Sequence, residues 1–448
     1  MSALRRIAVA LSGGIDSSVT AHLLKSIPNT KLTGLHMSNW NASDEASGTT
    51  YCEQSEKDAT DAQTIADFLN IEMKRVGFQS EYWHGVFEPF VEGFSHGQTL
   101  NPDVGCNQIV KFGAMRDYAM KKLKADYIAT GHYARLWHRR CGDDDILHSS
   151  SVPPAYLQEA IGQNPDDEWI WEWGINNSNG DKTPPLLLAA LDETKDQSYF
   201  LCGVQGSGFS NVMFPLGDLR KNHAIDNRET TVRQLAETFP SAISEKKESM
   251  GICFIGKRNF ADFIAEYLPQ EAVPGDFIDV DTGRIVGKHK GSAFYTIGQG
   301  AKISGASCKW FTCQKGDDGR VFVCNNTHHP SLYSDELYVH KFNWVAGELP
   351  RPLKENKEMF ALCRTWHLQP LIPCSVSMKD DHIRIKFDRP VRAITAGQTA
   401  ALYIGSGLVC VGGGEILERG PSYHELQKYL PSQYQESGRC INTSISQI

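Results

Sequence analysis

Hydrophobic positions over the first 135 residues alternate between two periods. Ile7–Leu11 is a short unbroken apolar run, the pattern of a strand buried on both faces. Val19, Leu23 and Leu24 follow at helical spacing, predicting a helix from about Ser17. "KLTGLHM" reads as a second strand. "EKDATDAQTIADFL" reads as a helix with Ala62, Ile65, Ala66 and Leu69 on one face. "IEMKRVGF" predicts a third strand and "EYWHGVFEPFVEGF" a third helix. After the loop "SHGQTLNPDVGCN" a further helix carries Phe112, Met115, Tyr118 and Ala119 inward, and "DYIATGHYA" is a fourth strand. Strand and helix in strict alternation predict an α/β fold, a parallel sheet wrapped on both faces. Such sheets bind ligands at the carboxyl ends of their strands, where "LSGG", "HMSNW" and "TGHY" fall.

The pattern then changes. Residues 141–185 break it with Asp, Asn, Pro and Trp clusters and are expected to form a surface insertion, partly mobile. "DETKDQSYFLCG" restores order, and Phe214–Asn325 carries mixed short helices and strands. From about Leu332, runs such as "RIKFD", "TAALYIG" and "LVCVGGGEIL" predict a small antiparallel barrel or sandwich. The stretch after Gly420 is polar and is expected to be loosely held.

A chain of 448 residues predicts two or three domains. It has no apolar run of bilayer length, and its start shows neither a signal-peptide core nor a long amphipathic transit segment, which predicts an intracellular protein. Twelve cysteines lie scattered without C-x-x-C or zinc-like spacing, so most are expected as reduced core residues. The net charge of −8 is local: Cys141–Lys195 holds eleven acidic and two basic residues, leaving the remainder at +1. Global acidity therefore excludes no polyanionic partner, and basic clusters occur at Lys121, Lys122 and Lys124 and at Lys246 and Lys247. Taken singly, each cluster reads first as a solvated helix face.

Candidate chemistry starts at "SGGIDSS". Glycines after a strand and before a helix let backbone N–H groups converge on an anion, helped by the helix N-terminus. Ser12, Ser17 and Ser18 add hydroxyl donors, and Asp16 beside phosphates makes sense with Mg²⁺. No Walker lysine follows. The loop resembles that of enzymes cleaving ATP between its α and β phosphates. A plain serine-capped turn is the alternative reading. Cys106 lies in "LNPDVGCNQIVKF", a polar turn followed by a helix, where a thiolate would be stabilised. Asp103 stands three residues before it, placed to move a proton. Cys253, in "KKESMGICFIGKRNF", follows a basic, glycine-containing approach, although Ile252 and Phe254 also suit a core.

"SGGIDSS", "NPDVGCNQIVKF", "DYIATGHYAR", "KDQSYFLCG", "SMGICFIGKRNF", "YTIGQG" and "PVRAITAGQTAALY" occur in this order from Ile7 to Gly420. Together they resemble the tRNA-specific 2-thiouridylases, and "KKESMGICFIGKRNF" and "GPSYHELQK" are most similar to the mitochondrial branch. The resemblance implies an N-terminal sheet of the adenine-nucleotide α-hydrolase (PP-loop) type over 1–212 and a central tRNA-binding unit over 213–325. It further implies a β-barrel over 326–425 and a polar tail over 426–448, with 245–260 returning Cys253 to the active site.

It implies sulfur transfer to the wobble uridine, position 34, with ATP and Mg²⁺. ATP would be held by Ala10, Leu11, Ser12, Gly13, Gly14, Ile15, Asp16 and Ser17, with Met37 and Gly131 flanking adenine and ribose and Asp16 as metal ligand. Cys253 would carry a persulfide and Cys106 would resolve it, leaving a Cys106–Cys253 disulfide. Asn101, Pro102 and Asp103 would meet the base. His132, Lys195, Asp196, Gln197, Arg364, Thr365 and Gln398 would contact tRNA. Implied partners are tRNAs for Lys, Glu and Gln and a sulfur donor such as a cysteine desulfurase or persulfide relay; the implied compartment is the mitochondrial matrix, with the cytoplasm as alternative. The chain departs from the family at Gly300, where many relatives have arginine, and at Thr365-Trp366-His367. The acidic insertion is expected to face away from tRNA. Two rivals remain: another adenylating PP-loop ligase or amidotransferase acting on a small molecule, with no need for Cys106 and Cys253, and a tRNA-binding protein without catalysis.

Overall fold

The computed structural model describes residues 4–39, 49–138, 153–174, 183–224, 229–247, 260–267, 274–316 and 318–434. Its N-terminal sheet is built from β1 (Arg5–Ala10), β2 (Thr30–Ser38), β3 (Glu72–Gly77), β4 (Tyr127–Ala129) and the short strand Val212–Met213. The order is β3-β2-β1-β4 and then Val212–Met213, all parallel. Ile7 and Val9 are buried in one hydrophobic cluster and Ala8 in another, so both faces of β1 are covered, as its unbroken apolar run requires. One cover is α1 (Ile15–Lys25) with α2 (Thr49–Phe68). Val232, Ala236, Phe239 and Ile243 join the same cluster, with Val232–Ala236 started by a Thr231/Gln234 capping box. Chain order reverses between β1 and β4, which opens the crevice for a ligand at their carboxyl ends.

A second sheet orders Gly300–Ala301, Trp310–Lys315, Val321–Cys324, Gly275–Asp279 and Ile285–His289, with one parallel pair between Val321–Cys324 and Gly275–Asp279. In the third sheet, Tyr333–Trp344, His382–Arg392, Ile372–Lys379, Met359–Arg364, Thr399–Ile404 and Val409–Arg419 close into an antiparallel barrel, the last strand pairing back with the first. This is the barrel alternative of the expectation. The barrel sheet is extended by Leu186–Leu188 and Arg135–Trp137, two strands from the N-terminal half. The N-terminal half of the chain and the barrel are thus joined by backbone hydrogen bonds.

Two expectations are corrected. Residues 153–174 of the acidic insertion do not stand free on the surface. Leu157, Ile161, Trp169, Ile170 and Trp173 are buried, Trp173 Nε1 donates to Glu348 O at 2.9 Å, and Gly405 N donates to Asp167 Oδ2 at 3.2 Å. Apolar residues at Trp and Leu positions outweigh the polar composition there and seat the segment on the barrel. Nor is the start of the C-terminal stretch loose. Tyr423 N donates to Tyr333 O at 2.9 Å, Arg419 pairs with Glu425 at 2.7 Å, and Leu430 is buried. Among the described residues no helix is long and apolar enough to cross a membrane.

Candidate active site

The glycine loop leaves β1 and enters α1 within four residues. Leu11 is buried and anchored at both ends of its peptide, its N–H donating to Leu35 O at 2.9 Å and its carbonyl accepting from His36 Nδ1 at 2.8 Å. Gly13 takes φ +75°, and a Cβ there would lie 2.3 Å from Asp58 O, so only glycine fits. Ser17 Oγ accepts from Ser12 N at 3.2 Å and donates to Gly14 O at 3.0 Å, and Ser18 Oγ donates to Gly14 O at 2.8 Å. Ser12 is exposed, Ala10, Gly14 and Asp16 are half-buried, and Ile15 packs into the core. Met37, half-buried, ends up two residues from the loop's backbone partner Leu35, at the carboxyl end of β2. Gly131 follows β4 and presses on the first turn of α1: its Cβ would lie 2.9 Å from Asp16 C and Ser17 N.

Lysines that sequence reading missed hold this loop. Lys246 Nζ donates to Gly13 O at 3.0 Å, Asp58 Oδ1 at 2.8 Å and Asp61 Oδ2 at 2.6 Å. Burial disfavours its charge, but the two carboxylates outweigh burial and raise its pKa. The Lys246–Lys247 cluster is therefore not simply a solvated face. Lys221 Nζ pairs with Asp16 Oδ2 at 3.0 Å, and Tyr133 OH donates to Asp16 Oδ1 at 2.9 Å. These contacts join residues 205 and 117 positions apart, and no local pattern announces them.

The thiol site corrects a third expectation. Asn101 is an N-cap, its Oδ1 accepting from Asp103 N at 3.1 Å, with buried Pro102 in the first turn. The helix therefore begins at Pro102, and Cys106 opens the π-helical stretch Cys106–Met115 in its second turn. Cys106 is a free thiol, 5 % exposed. Burial raises its pKa, Asp103 adds to the rise, and Lys111 opposes it. Burial therefore works against the expected stabilised thiolate, since desolvation outweighs Lys111. Burial likewise raises the Asp103 pKa against Lys111 and His367, which suits a carboxyl that holds a proton.

One bridge joins thiol and glycine loop. His132 Nε2 donates to Asn107 Oδ1 at 3.2 Å, so its Nδ1 accepts from Thr130 Oγ1 at 2.7 Å. Burial holds this imidazole well below its usual pKa, hence neutral. Cys106 is thus one residue from Asn107, and His132 is one residue from Gly131 and the first turn of α1. Cys253 lies outside the described residues.

Residues 5–165 and 173–257 of the chain match the tRNA methyl transferase HUP domain, 261–325 the tRNA methyl transferase PRC-barrel domain, and 334–416 the aminomethyltransferase beta-barrel domain. It is 37 % identical over 430 residues to the Mitochondrial tRNA-specific 2-thiouridylase 1 of Homo sapiens, covering 96 % of this chain and 94 % of the human protein. The Mus musculus protein of that name is 36 % identical over 431 residues, covering 96 % and 95 %. The tRNA-specific 2-thiouridylase MnmA of Pectobacterium carotovorum is 36 % identical over 423 residues, covering 93 % and 98 %. The chain belongs to the tRNA-specific 2-thiouridylase family.

The residues expected from the sequence to contact tRNA lie along the seam between the N-terminal half and the barrel. Asp196 is buried; it accepts from Ala190 N at 3.1 Å and Ser198 Oγ at 2.8 Å and pairs with Arg364 at 3.3 Å. Gln197 holds Tyr133 from both sides, N to Tyr133 O at 2.8 Å and Oε1 from Tyr133 N at 3.0 Å. Lys195 is half-buried, with its N–H on Asp192 O. Thr365 is buried against Gln369, and Gln398 Nε2 donates to Thr99 O at 2.6 Å, two residues before Asn101. His367 donates Nε2 to Asp196 O at 2.9 Å and lies 4.4 Å from the Phe200 ring. Gly300 is exposed, with only Trp310 O, at 3.9 Å, near the place of a Cβ.

Proposed function

We propose that this chain is an ATP-dependent tRNA uridine 2-sulfurtransferase in which Cys106 and Cys253 carry sulfur to C2 of the wobble uridine. The observation that supports the reading is the hydrogen bond from His132 to Asn107, the neighbour of Cys106, with Gly131, the neighbour of His132, pressed on the first turn after the glycine loop. Family membership supplies the substrate class. A small-molecule ligase would have no use for that thiol.

The C2 oxygen of uridine attacks the α-phosphorus of ATP, and pyrophosphate leaves. Glycine-loop N–H groups and the α1 terminus stabilise the phosphate charge. Mg²⁺ would screen the phosphates. Among the described residues no three acidic, His or Cys side chains converge, so Asp16 would hold the ion with the phosphates themselves and water. Cys253 brings a persulfide. Cys106, once deprotonated, attacks the Cys253 sulfur; the terminal sulfur bonds to C2 and AMP departs with the former oxygen. The Cys106–Cys253 disulfide formed takes two electrons from an external thiol to reset. Asp103, its pKa raised by burial, exchanges a proton at the base. Lys246 sits 3.0 Å from Gly13 O and seven residues before Cys253, a span of about 25 Å at most. That reach supports delivery of Cys253 to the site.

The test incubates enzyme, unmodified tRNA, ATP, Mg²⁺ and a persulfide source and reads 2-thiouridine by mass spectrometry. Wild type is expected to form it, and Cys106→Ser and Cys253→Ser are expected to fail. Pyrophosphate release with sulfur-free tRNA would instead favour the small-molecule ligase. The names of the mitochondrial relatives support a mitochondrial location, whereas tRNAs for Lys, Glu and Gln as substrates and a desulfurase-type donor rest on the family resemblance of the sequence motifs. Comparing purified tRNAs in the same assay and imaging a tagged chain tests them.

A further inference from the structure

The glycine loop offers N–H groups and hydroxyls to a triphosphate but no cation of its own. Two lysines reach it from distant segments. The ammonium of Lys246 has three donors, and Gly13 O, Asp58 and Asp61 take all three. Lys221 differs. Its main chain is fixed, N–H to Asp192 Oδ2 at 2.9 Å and carbonyl accepting from Arg233 N at 3.1 Å. Its side chain, 7 % exposed, reaches Asp16 Oδ2 at 3.0 Å and lies 5.7 Å from the Tyr133 ring.

Asp16 does not need this partner to be stable. It stands in the first turn of α1, where the helix dipole already favours a carboxylate, and Tyr133 OH donates to it. A buried ion pair is also a weak source of stability, since desolvation offsets the attraction. What the pair does achieve is to keep a positive charge beside the loop at the place a polyanion must enter. The lysine stem has four carbons and turns freely, so the ammonium can change partner while the backbone stays.

We propose that Lys221 is a ligand for the β and γ phosphates of ATP, held on Asp16 until the nucleotide binds. This rests on the ATP reading above and names the residue that neutralises the leaving pyrophosphate. Lys221 hands its hydrogen bond from Asp16 to the phosphate oxygens, and Asp16 becomes available to a cation at the same moment. One exchange thereby matches the charge of the site to its ligand in both states.

Isothermal titration of the full chain with α,β-methylene-ATP and with AMP tests it. Lys221→Met is expected to weaken the triphosphate analogue about tenfold to a hundredfold, the scale of a lost charge-assisted hydrogen bond. AMP affinity is expected to move less than about twofold, and Lys221→Arg to keep most of the analogue affinity. Equal losses for both ligands would show a strut of the loop and overturn the proposal, as would no loss for either. An independent arm works even if Lys221→Met does not fold. In EDTA, Asp16→Asn releases the ammonium without removing it and should tighten analogue binding; unchanged or weaker binding overturns the exchange. If wild type bound neither nucleotide, the ATP reading itself would fail. If wild type bound both and the variants did not discriminate, only Lys221 would lose its role.

Discussion

Gly131→Ala is the sharpest test of the site's geometry. The glycine takes no positive φ, so alanine brings no backbone strain and the effect is purely steric. The added Cβ would lie 2.9 Å from Asp16 C and Ser17 N, both backbone atoms that no rotamer change can move away. Ordinary contact begins near 3.4 Å, so β4 and the first turn of α1 must separate by about 0.5 Å. Overpacking of this kind costs about 1–3 kcal/mol, and each kcal/mol lowers Tm by about 2–4 °C in a domain of 150–250 residues. The displaced turn carries Asp16 and Ser17, so ATP-analogue affinity and kcat/KM for 2-thiouridine formation should each fall roughly tenfold. Gly162→Ala is the control: nothing lies within 4 Å of its Cβ, and it should melt at or slightly above wild type. Melting by circular dichroism and nucleotide titration on the three proteins decide the matter. Gly131→Ala indistinguishable from wild type in both would refute the claim that this strand end sets the nucleotide loop.

Three further outcomes follow from the same contacts. Burial raises the Cys106 pKa, so it is a neutral thiol below that value. Its alkylation by iodoacetamide, read at the Cys106 peptide, should be slow at pH 7 and keep rising beyond pH 9, with Lys111→Met slower still; a plateau near neutrality contradicts this. Lys246→Met leaves Asp58 and Asp61 facing each other and the Gly13 carbonyl, and should cost about 1–3 kcal/mol, partly restored by adding Asp61→Asn; an unchanged Tm speaks against the clamp. Glu336, paired with Arg384 at 3.0 Å, has its pKa lowered to about 2 by that guanidinium, so the stability it contributes is complete above pH 4.5 and is lost as pH falls towards 2. Acid titration of Glu336→Gln should therefore show a shallower decline than wild type across that window.

The sheet was readable where a strand is an apolar run and a helix a 3.6-residue stripe, so Ile7–Leu11 and Ala62–Leu69 gave their places away, whereas the two-residue strand Val212–Met213 did not. The start of the Cys106 helix was also written in the chain: Asn-Pro-Asp at 101–103 is a cap, a first-turn proline and a first-turn acid. Taking that stretch as a turn put Cys106 at a helix start and its thiolate in a favourable field, whereas the thiol is buried a turn further on. Acidic composition hid the buried set of Leu157, Ile161, Trp169, Ile170 and Trp173. Lys221, Lys246 and Tyr133 were illegible for a different reason. Each acts on a partner more than a hundred positions away, and only the folded sheet brings them together.

That long-range wiring makes barrel docking and site assembly one event. Gln398 of the barrel fixes Thr99, two residues before the Asn101 cap that starts the helix of Asp103 and Cys106. Arg364 and His367 both converge on Asp196, whose neighbour Gln197 grips the backbone of Tyr133, which in turn holds Asp16. A barrel that shifted on its seam would disturb the helix of Asp103 and Cys106 through one route and the glycine loop through the other. The polar residues of this seam are therefore buried for a reason beyond stability. Hydrogen bonds demand distance and direction, and a seam built from them holds the two reacting centres in a register that apolar packing alone would leave free to slide.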